Sequence, residues 1–183
     1  MAILKIARMG HPVLRRSAEP VPDAALPELR QLIGDMSDTM HDAPGVGLAA
    51  PQVLVGVRVM LYRAPADRIG EDDTVVPDTV LINPEITPLT DHMVLGWEGC
   101  LSVPGFRGLV PRSTHIGYRG LGPDGSRIEG EARGFLARVI QHEFDHLDGV
   151  LYIDRMHDLR LLVHEDEVDS FRFADYIESD KNA

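Results

Sequence analysis

The chain has 183 residues, a length typical of one globular domain. Apolar residues make up 44% of the sequence and charged residues 26%, a composition that excludes wholesale disorder. Its 29 acidic residues outnumber the 18 basic ones and give a net charge of −11. That balance argues against direct contact with nucleic acid and against a membrane partner, because either would need a basic surface.

Cellular location is indicated by the single cysteine and by the first residues of the chain. Cys100 is the only cysteine, so no internal disulfide forms and a reducing compartment is expected. Near the start, Gly10, His11 and Pro12 interrupt the sequence before an apolar segment typical of a secretory signal can form. The longest apolar run falls far short of the roughly 20 residues that cross a bilayer. These features predict a cytoplasmic protein.

The first half of the chain predicts one helix followed by strands. Apolar residues recur at three- and four-residue intervals from Leu26 onwards, which predicts an amphipathic helix with Pro27 near its first turn and an end before Pro44. They are Leu26, Leu29, Ile33, Met36 and Met40. A half-buried strand is predicted over residues 55–61 and an exposed loop over 63–79. A short strand over 80–83 is expected to end at Pro84, and residues 94–103 are irregular or strand-like.

The second half predicts a hairpin and a second helix. Strands over 114–119 and 126–131 are joined by a Gly-Pro-Asp-Gly turn. A helix is predicted from about Gly134 to Leu147, with Gly149 as its C-cap, and a last strand over 151–153. The pattern predicts an α+β fold of antiparallel strands packed around a central helix, and the histidines described next predict that it is a metal-binding helix. We expect one catalytic domain over residues 1–183, with a core over about 4–158 and an acidic tail over 159–183.

The strongest chemical signal is the sequence His142-Glu143-Phe144-Asp145-His146. Histidines four residues apart project from one helical face and can share one divalent metal ion. Glu143 lies about 100° further round the helix, so it can reach a water near the metal without being a ligand. Asp145 points away from the ligand face and is expected to be solvated or structural.

A catalytic site of this kind needs a third protein ligand, and the sequence offers several. Metalloproteases with a related motif place a histidine three residues after a glycine, but the position after Gly149 is Tyr152, a poor ligand. Glu165 and Glu167 in the acidic tail are alternatives. Cys100 is the better candidate, since Gly99 before it lets the backbone approach a ligand closely.

A third segment, residues 45–52, is rich in glycine and alanine and ends in Gln52. It lacks the Gly-Lys-Ser/Thr sequence of a phosphate-binding loop. An uncharged amide beside small residues can instead donate a hydrogen bond to a developing oxyanion. We therefore regard Gln52 as a candidate catalytic residue.

Residues 45–52, 98–102 and 141–146 together resemble the three signature motifs of the peptide deformylases, in the same order. The resemblance continues through residues 9–15, Arg112 and residues 147–156, and so covers about residues 4–158. Residues 96–98 and 154–156 look more like the organelle-type (1A) subclass. That subclass normally carries a transit sequence, whereas this chain begins where the mature domain would, so a bacterial origin is expected.

The resemblance implies hydrolysis of the N-formyl group from N-formyl-methionyl peptides of nascent proteins. Cys100, His142 and His146 would hold one divalent metal ion. Their donor types suit Fe²⁺ or Zn²⁺, and the family favours Fe²⁺ as the physiological ion, with Zn²⁺ common in preparations.

Catalytic roles follow from the same resemblance. Glu143 would accept a proton from the attacking water and deliver it to the leaving amine. The Gln52 side-chain amide and the Leu101 backbone N–H would donate hydrogen bonds to the oxyanion. Glu98 is expected to orient a metal ligand or a basic partner.

Substrate contacts are expected around the metal. A cramped site would select the small formyl group, Val46, Phe135 and Val139 would line a pocket for the methionine side chain, and Arg107 would steady the peptide at the mouth. The predicted substrate-binding residues are Gly45, Val46, Gly47, Gly99, Arg107, Phe135 and Val139.

Two features depart from common deformylases. Leu54 stands where the family usually has a glycine, which affects the turn into the next strand. The tail clusters Glu165, Asp166, Glu167 and Asp169, whereas common bacterial members end in a basic helix that can dock on the ribosome. Because ribosomal RNA repels an acidic tail, we expect no ribosome anchoring through it.

Two other functions use the same motifs. An endopeptidase with the His-Glu-x-x-His motif would share the helix, the base and the metal, but would not need the Cys100 segment. A non-catalytic protein could keep a metal for structure alone, and would then have no use for Glu143 or Gln52.

Overall fold

The computed structural model describes residues 2–22, 24, 27–70 and 74–171. Within these residues, the α-helices are α1 (Pro27–Asp42) and α2 (Gly134–Leu147). The strands are β1 (Gly47–Ala49), β2 (Val59–Ala64), β3 (Val76–Pro88), β4 (Met93–Cys100), β5 (Val103–Ser113), β6 (His115–Leu121), β7 (Arg127–Arg133) and β8 (Leu162–His164). The predicted α+β class is confirmed.

The strands form two antiparallel sheets. One has the order β1-β2-β3-β6-β7 and the other the order β4-β5-β8. Helix α2 buries Ala137, Ile140 and Leu147 in a core that also contains Met60 and Tyr62 of β2. The opposite side of α2 meets the end of β4, so this helix connects the larger sheet to the smaller one.

Helix α2 has the bounds that the sequence predicted, because its apolar residues follow the helical period closely. Helix α1 also forms where expected: it buries Leu29, Met36 and Met40, which pack with β1 and β2. Leu26, the first residue of the predicted stripe, lies outside the described residues. No helix in the described part of the chain is long and apolar enough to span a membrane.

Several strand predictions were wrong at their boundaries. The strand predicted over 55–61 begins only at Val59, and the predicted loop over 63–79 contains the end of β2 and the start of β3. Strand β3 does not end at Pro84. It continues to Pro88, because a register shift between Ile82 and Glu85 lets the proline sit where no ladder hydrogen bond is needed.

Strand β5 and the segment after α2 also differ from the prediction. β5 runs for 11 residues although it contains Pro104 and Pro111, and it pairs along most of its length with β4. The strand predicted over 151–153 is a 3-10 helix, Tyr152–Arg155. Its start is fixed by Asp154, whose carboxylate accepts a hydrogen bond from the Leu151 N–H at 2.8 Å.

The N-terminal segment crosses the molecule between two of the signature motifs. The Ala7 N–H donates to the Gln52 carbonyl at 2.7 Å, and the Met9 N–H donates to the Ser102 carbonyl at 2.7 Å. Only Ala7 among residues 2–9 is buried. The segment is therefore held mainly through its backbone.

Candidate metal centre

Three potential metal ligands from two elements meet beside helix α2. His142 and His146 share one face of the helix, with ring centroids 5.1 Å apart. Cys100 ends β4, and its Sγ lies 3.2 Å from Nε2 of His146. One ligand atom from each of the three residues lies within 4.8 Å of the others. A thiolate and two imidazoles at this spacing form a donor set that fits a divalent transition metal with one open position.

Glu98 orients one of these ligands. Its Oε2 lies 2.8 Å from Nδ1 of His142, which leaves Nε2 of that ring for a metal. Arg112 donates to both Glu98 oxygens, at 2.9 and 3.0 Å. Burial raises the pKa of Glu98, but His142 and Arg112 outweigh it and hold the pKa well below its usual range. The carboxylate therefore stays charged, as the expected orienting role requires.

Asp145 extends this ion-pair network away from the ligands. Its Oδ2 accepts a hydrogen bond from Arg112 at 2.6 Å, and its Oδ1 accepts one from Arg155 at 2.7 Å. Asp145 is buried, so the structural alternative predicted for it is correct and the solvated one is wrong. Because a buried charge is costly without partners, the network fixes the positions of both helix α2 and the ligand-orienting Glu98.

Arg138 was not identified from the sequence, although it contributes to the same network. Its Nη1 donates to Oε1 of Glu98 at 2.8 Å and to the Val110 carbonyl at 2.8 Å, and its Nη2 donates to the Val94 carbonyl at 2.8 Å. It thus ties α2 to β4 and β5. Its position four residues before His142 places it on the ligand face, and this spacing was the available signal.

The environment of Cys100 favours the thiolate that a metal needs. Burial raises the pKa of the thiol, but the nearby imidazoles of His146 and His142 outweigh it and hold the pKa well below the usual range. In addition, Nδ1 of His146 is buried and has no hydrogen-bond partner among the described residues. A soft anionic donor poised between two imidazoles matches the requirements of a Cys/His/His metal site.

Glu143 is buried beside the ligands without joining them. Its Oε2 has no hydrogen-bond partner within the described part of the chain. Burial raises the pKa of Glu143 to about 7, against the opposing influence of His142 and His146. A carboxyl group whose pKa lies near neutrality can both accept and release a proton at physiological pH.

Gln52 lies in a fixed orientation next to Cys100. Its Oε1 accepts a hydrogen bond from the Ala49 N–H at 2.8 Å, so its amide nitrogen must face the other way. That nitrogen donates to Oγ of Ser102 at 3.2 Å and lies 3.5 Å from Sγ of Cys100. The amide group therefore presents its donor side to the ligand cluster.

A cavity of about 450 Å³ opens onto the ligand cluster. His142 and Glu143 lie on its wall, whereas His146 is not among its lining residues. Arg68, Arg107 and Glu165 provide charged groups to the lining. All the other residues predicted for the site also line it: Gly45, Val46, Gly47, Gln52, Gly99, Cys100, Leu101, Phe135 and Val139.

Comparison with known proteins identifies the family to which this site belongs. A family profile described as polypeptide deformylase matches residues 3–161. The chain belongs to the polypeptide deformylase family. It is therefore a metal-dependent hydrolase that removes the N-formyl group from peptides, and its Cys/His/His cluster has the donor atoms that could hold the metal ion.

Individual deformylases are similar over most of the chain. Peptide deformylase 1 of Bordetella pertussis is 55% identical over 154 residues, which are 84% of this chain and 88% of the relative. Peptide deformylase 1 of Xanthomonas campestris is 46% identical over 178 residues, which are 97% and 99% of the two chains. A Met-Ala-Ser-bound class I type b deformylase from Acinetobacter baumannii has a TM-score of 0.79 at 39% identity, and the match covers 85% of this chain and 99% of that one.

These relatives are bacterial, and the solved one is described as class I type b. The expectation that this deformylase is closer to the organelle-type subclass depends on residues 96–98 and 154–156. It stays a prediction.

The other ligand candidates direct their oxygen atoms elsewhere. The Tyr152 ring stacks on His142 at 6.0 Å, and its hydroxyl donates to the Phe106 carbonyl at 3.3 Å. Glu165 lies at the cavity mouth, where its Oε2 is 3.8 Å from Nη2 of Arg107. The endopeptidase alternative, which needed one of these ligands, is therefore not supported, and neither is a purely structural metal.

Leu54, the departure from the deformylase pattern, adopts the backbone conformation that normally calls for glycine. Its φ is 70° and its ψ is 14°, in the left-handed region. The turn that leads towards β2 thus holds a leucine in the left-handed conformation, at a cost of about 1–2 kcal/mol. Because Leu54 is 43% exposed, its side chain adds little packing to offset that cost.

Proposed function

We propose that this chain deformylates the N-formyl-methionyl ends of nascent proteins, with Cys100, His142 and His146 holding one divalent metal ion. The observation that carries this proposal is the meeting of the three ligand atoms within 4.8 Å beside the buried Glu143, whose Oε2 has no hydrogen-bond partner among the residues that the structure describes. A bound ion would polarise the formyl carbonyl and lower the pKa of a water molecule.

Glu143 is the proton carrier in this proposal. In its ionised form it accepts a proton from the attacking water, and it then delivers that proton to the amine that leaves when the formyl C–N bond breaks. Its pKa of about 7, raised by burial, supports both directions of transfer at neutral pH. General acid–base catalysis of this kind contributes about 10²- to 10⁴-fold to a rate.

Gln52 and Leu101 are the proposed oxyanion donors. The amide nitrogen of Gln52 is 3.5 Å from Sγ of Cys100, so it needs only a small shift to donate to a formyl oxygen near the cluster. Leu101 follows Cys100 directly, and its backbone N–H supplies the second donor. Each such donor is worth about 3–4 kcal/mol of transition-state stabilisation.

The peptide binds in the cavity with its methionine side chain against Val46, Phe135 and Val139. These three side chains form part of the apolar lining. The backbone comes close to the cluster at three glycines, which leaves room for a small acyl group only: they are Gly45, Gly47 and Gly99. The Met-Ala-Ser peptide bound by the Acinetobacter baumannii relative supports a methionyl peptide as substrate. Arg107, at the mouth, steadies the chain beyond the methionine.

We propose Fe²⁺ as the physiological ion, since a thiolate with two imidazoles suits Fe²⁺ or Zn²⁺ and the resemblance favours iron. The test is anaerobic purification, followed by metal analysis and a formate-release assay on formyl-Met-Ala-Ser. We expect about one iron per chain and activity that oxygen diminishes. Zinc as the only metal at full activity would contradict the assignment of iron, and cleavage of unformylated internal peptides would contradict the deformylase reaction itself.

We place this activity in the cytoplasm, carried out by a single catalytic domain over residues 1–183 without ribosome anchoring through the tail. The absence of ribosome anchoring is supported by the acidic cluster Glu165, Asp166, Glu167 and Asp169, because the negative charge of ribosomal RNA repels these side chains. Co-sedimentation with ribosomes that persists at physiological salt and disappears when residues 159–183 are removed would contradict it.

A further inference from the structure

The segment of residues 159–167 brings Glu165 to the cavity mouth. Strand β8 pairs with β5, so that Val163 lies opposite Arg107 and His164 lies opposite Phe106. The segment is anchored by Leu161, which is only 4% exposed. The ring of His164 also packs edge-on against Phe106 at 5.9 Å. The residue that follows β8 is Glu165, and this pairing fixes it beside the cavity.

Arg107 lies between Glu165 and the floor of the cavity. Its guanidinium covers Gly99 so closely that a Cβ at residue 99 would collide with it. On the other side, its Nη2 lies 3.8 Å from Oε2 of Glu165. Both side chains keep nearly half of their surface exposed, 42% for Arg107 and 48% for Glu165. They are therefore accessible to a substrate that enters the cavity.

Glu165 is the carboxylate that offsets the charge of Arg107 at this mouth. Among the described residues, three arginines line the cavity, Arg68, Arg107 and Arg138, together with three glutamates, Glu98, Glu143 and Glu165. Arg138 contacts Glu98, and Arg68 lies 3.7 Å from Asp67. Glu98 is already neutralised by its arginines. Without Glu165, the positive potential of Arg107 would act on the substrate uncompensated.

We propose that Glu165 is a specificity-determining residue: by offsetting Arg107 it prevents a preference for acidic side chains just after the formyl-methionine. The inference rests on the proposed function and adds the charge class of the accepted peptide. Nascent chains carry every residue type after methionine, so a balanced mouth lets basic and acidic sequences be processed at similar rates. Because the pair is exposed, the effect is modest, about two- to fivefold.

The test compares three substrates that differ only after the methionine: formyl-Met-Asp-Ser, formyl-Met-Lys-Ser and formyl-Met-Ala-Ser. The metal-loaded enzyme and its Glu165→Gln variant are assayed for formate release, and the ratio of kcat/KM for the Asp and Lys peptides is measured. We expect the variant to raise this ratio two- to fivefold at low salt, and 1 M salt to reduce the difference strongly.

The matched control is Glu167→Gln, which removes the same charge two residues further along, from an exposed side chain that does not line the cavity. Its Asp/Lys ratio should equal that of the wild type. An equal rise in both variants, or no rise in Glu165→Gln, would overturn the inference. In an Arg107→Gln background, Glu165→Gln should lose its effect on the ratio, and a persistent effect would overturn the role of the pair.

The same assay separates this inference from the proposed function. If the wild type releases no formate from formyl-Met-Ala-Ser, the deformylase assignment fails. If the wild type releases formate and the Asp/Lys ratio of kcat/KM is the same in Glu165→Gln, only the role of Glu165 fails.

Discussion

Gly47 lies directly against the carboxylate of Glu143. A Cβ on residue 47 would overlap Oε1 and would come within 2.6 Å of Cγ of Glu143. Real Cβ atoms do not approach other atoms so closely, so a larger residue at this position would force the carboxylate to move. The signature segment in β1 and the acidic residue of α2 therefore have to be considered as one unit, although they are far apart in the sequence.

Gly47→Ala should impair catalysis without removing the metal. The added methyl group displaces Glu143, and misplacement of a catalytic group by about 1 Å can cost 10²-fold in rate. We expect kcat to fall about 10- to 100-fold while the metal content stays near that of the wild type. Gly34→Ala is the matched control, because nothing lies within 4 Å of its Cβ position in α1. Normal turnover by Gly47→Ala would contradict the packing.

Glu143→Gln should keep the metal and lose most of the turnover. Glutamine preserves the size of the side chain but cannot accept the proton, so kcat should fall about 10²- to 10⁴-fold. Metal analysis and formate release on the same sample measure both quantities. Loss of the metal would show that Glu143 is a ligand, and near-normal turnover would remove it from the mechanism.

Cys100→Ala should lose both metal and activity. The chain has no other cysteine, and the two histidines alone would hold a catalytic ion poorly. We expect metal content after anaerobic purification to fall to a small fraction of one ion per chain. Glu143→Gln is the comparison, because it changes the same cluster without removing a ligand. A Cys100→Ala protein with full metal content and activity would refute the ligand set.

Leu54→Gly should stabilise the protein. Relief of the left-handed backbone strain, about 1–2 kcal/mol, exceeds the entropic cost of glycine, about 0.5–1 kcal/mol. We expect the free energy of unfolding to rise by about 0.5–1 kcal/mol in a denaturant titration. Leu54→Ala separates the two effects, since alanine loses the side chain and keeps the strain. Stabilisation by alanine as large as that by glycine would contradict the backbone explanation.

A chain that ends at Asp158 should be less stable than one that ends at Phe171. The shorter chain lacks Leu161 and β8, and losing the burial of one leucine side chain costs about 1.5–3 kcal/mol in the free energy of unfolding. We expect a difference of about 2–3 kcal/mol in the free energy of unfolding. Because all the proposed ligands and oxyanion donors precede residue 159, formate release from formyl-Met-Ala-Ser should persist in both. Equal stability would contradict an anchoring role of Leu161.

The sequence predicted the parts of the fold that local patterns control. Helix α2 was predicted with its correct bounds, because its apolar residues follow the helical period and Gly149 supports the turn after it with a φ of +73°. Strand β5 was not predicted, since Pro104, Gly105 and Pro111 disrupt the alternation that identifies strands. What stabilises β5 is pairing with β4 and β8, and pairing partners far along the chain leave no local signature.

The candidate site also contains residues that the sequence predicted and contacts that it did not. The three candidate ligands and Glu143 could be proposed from the sequence, because two histidines four residues apart on a helix are typical of a metal site, and the structure brings these residues together. The charged network around them was only partly identifiable. Arg138 has a sequence signal in its spacing from His142, but its contact with Glu98 depends on how α2 meets β4. Nothing in the sequence indicated that Glu165 of the tail reaches Arg107.

The N-terminal segment has a consequence for sequence variation. It connects the segment of Gln52 to that of Ser102 by backbone hydrogen bonds from Ala7 and Met9, each 2.7 Å long. Backbone groups are the same in every residue except proline, so most side chains of residues 2–9 can change while the connection survives. An insertion or deletion between positions 7 and 9 would shift one of the two bonds out of register. Substitutions in this segment should therefore be tolerated better than changes in its length.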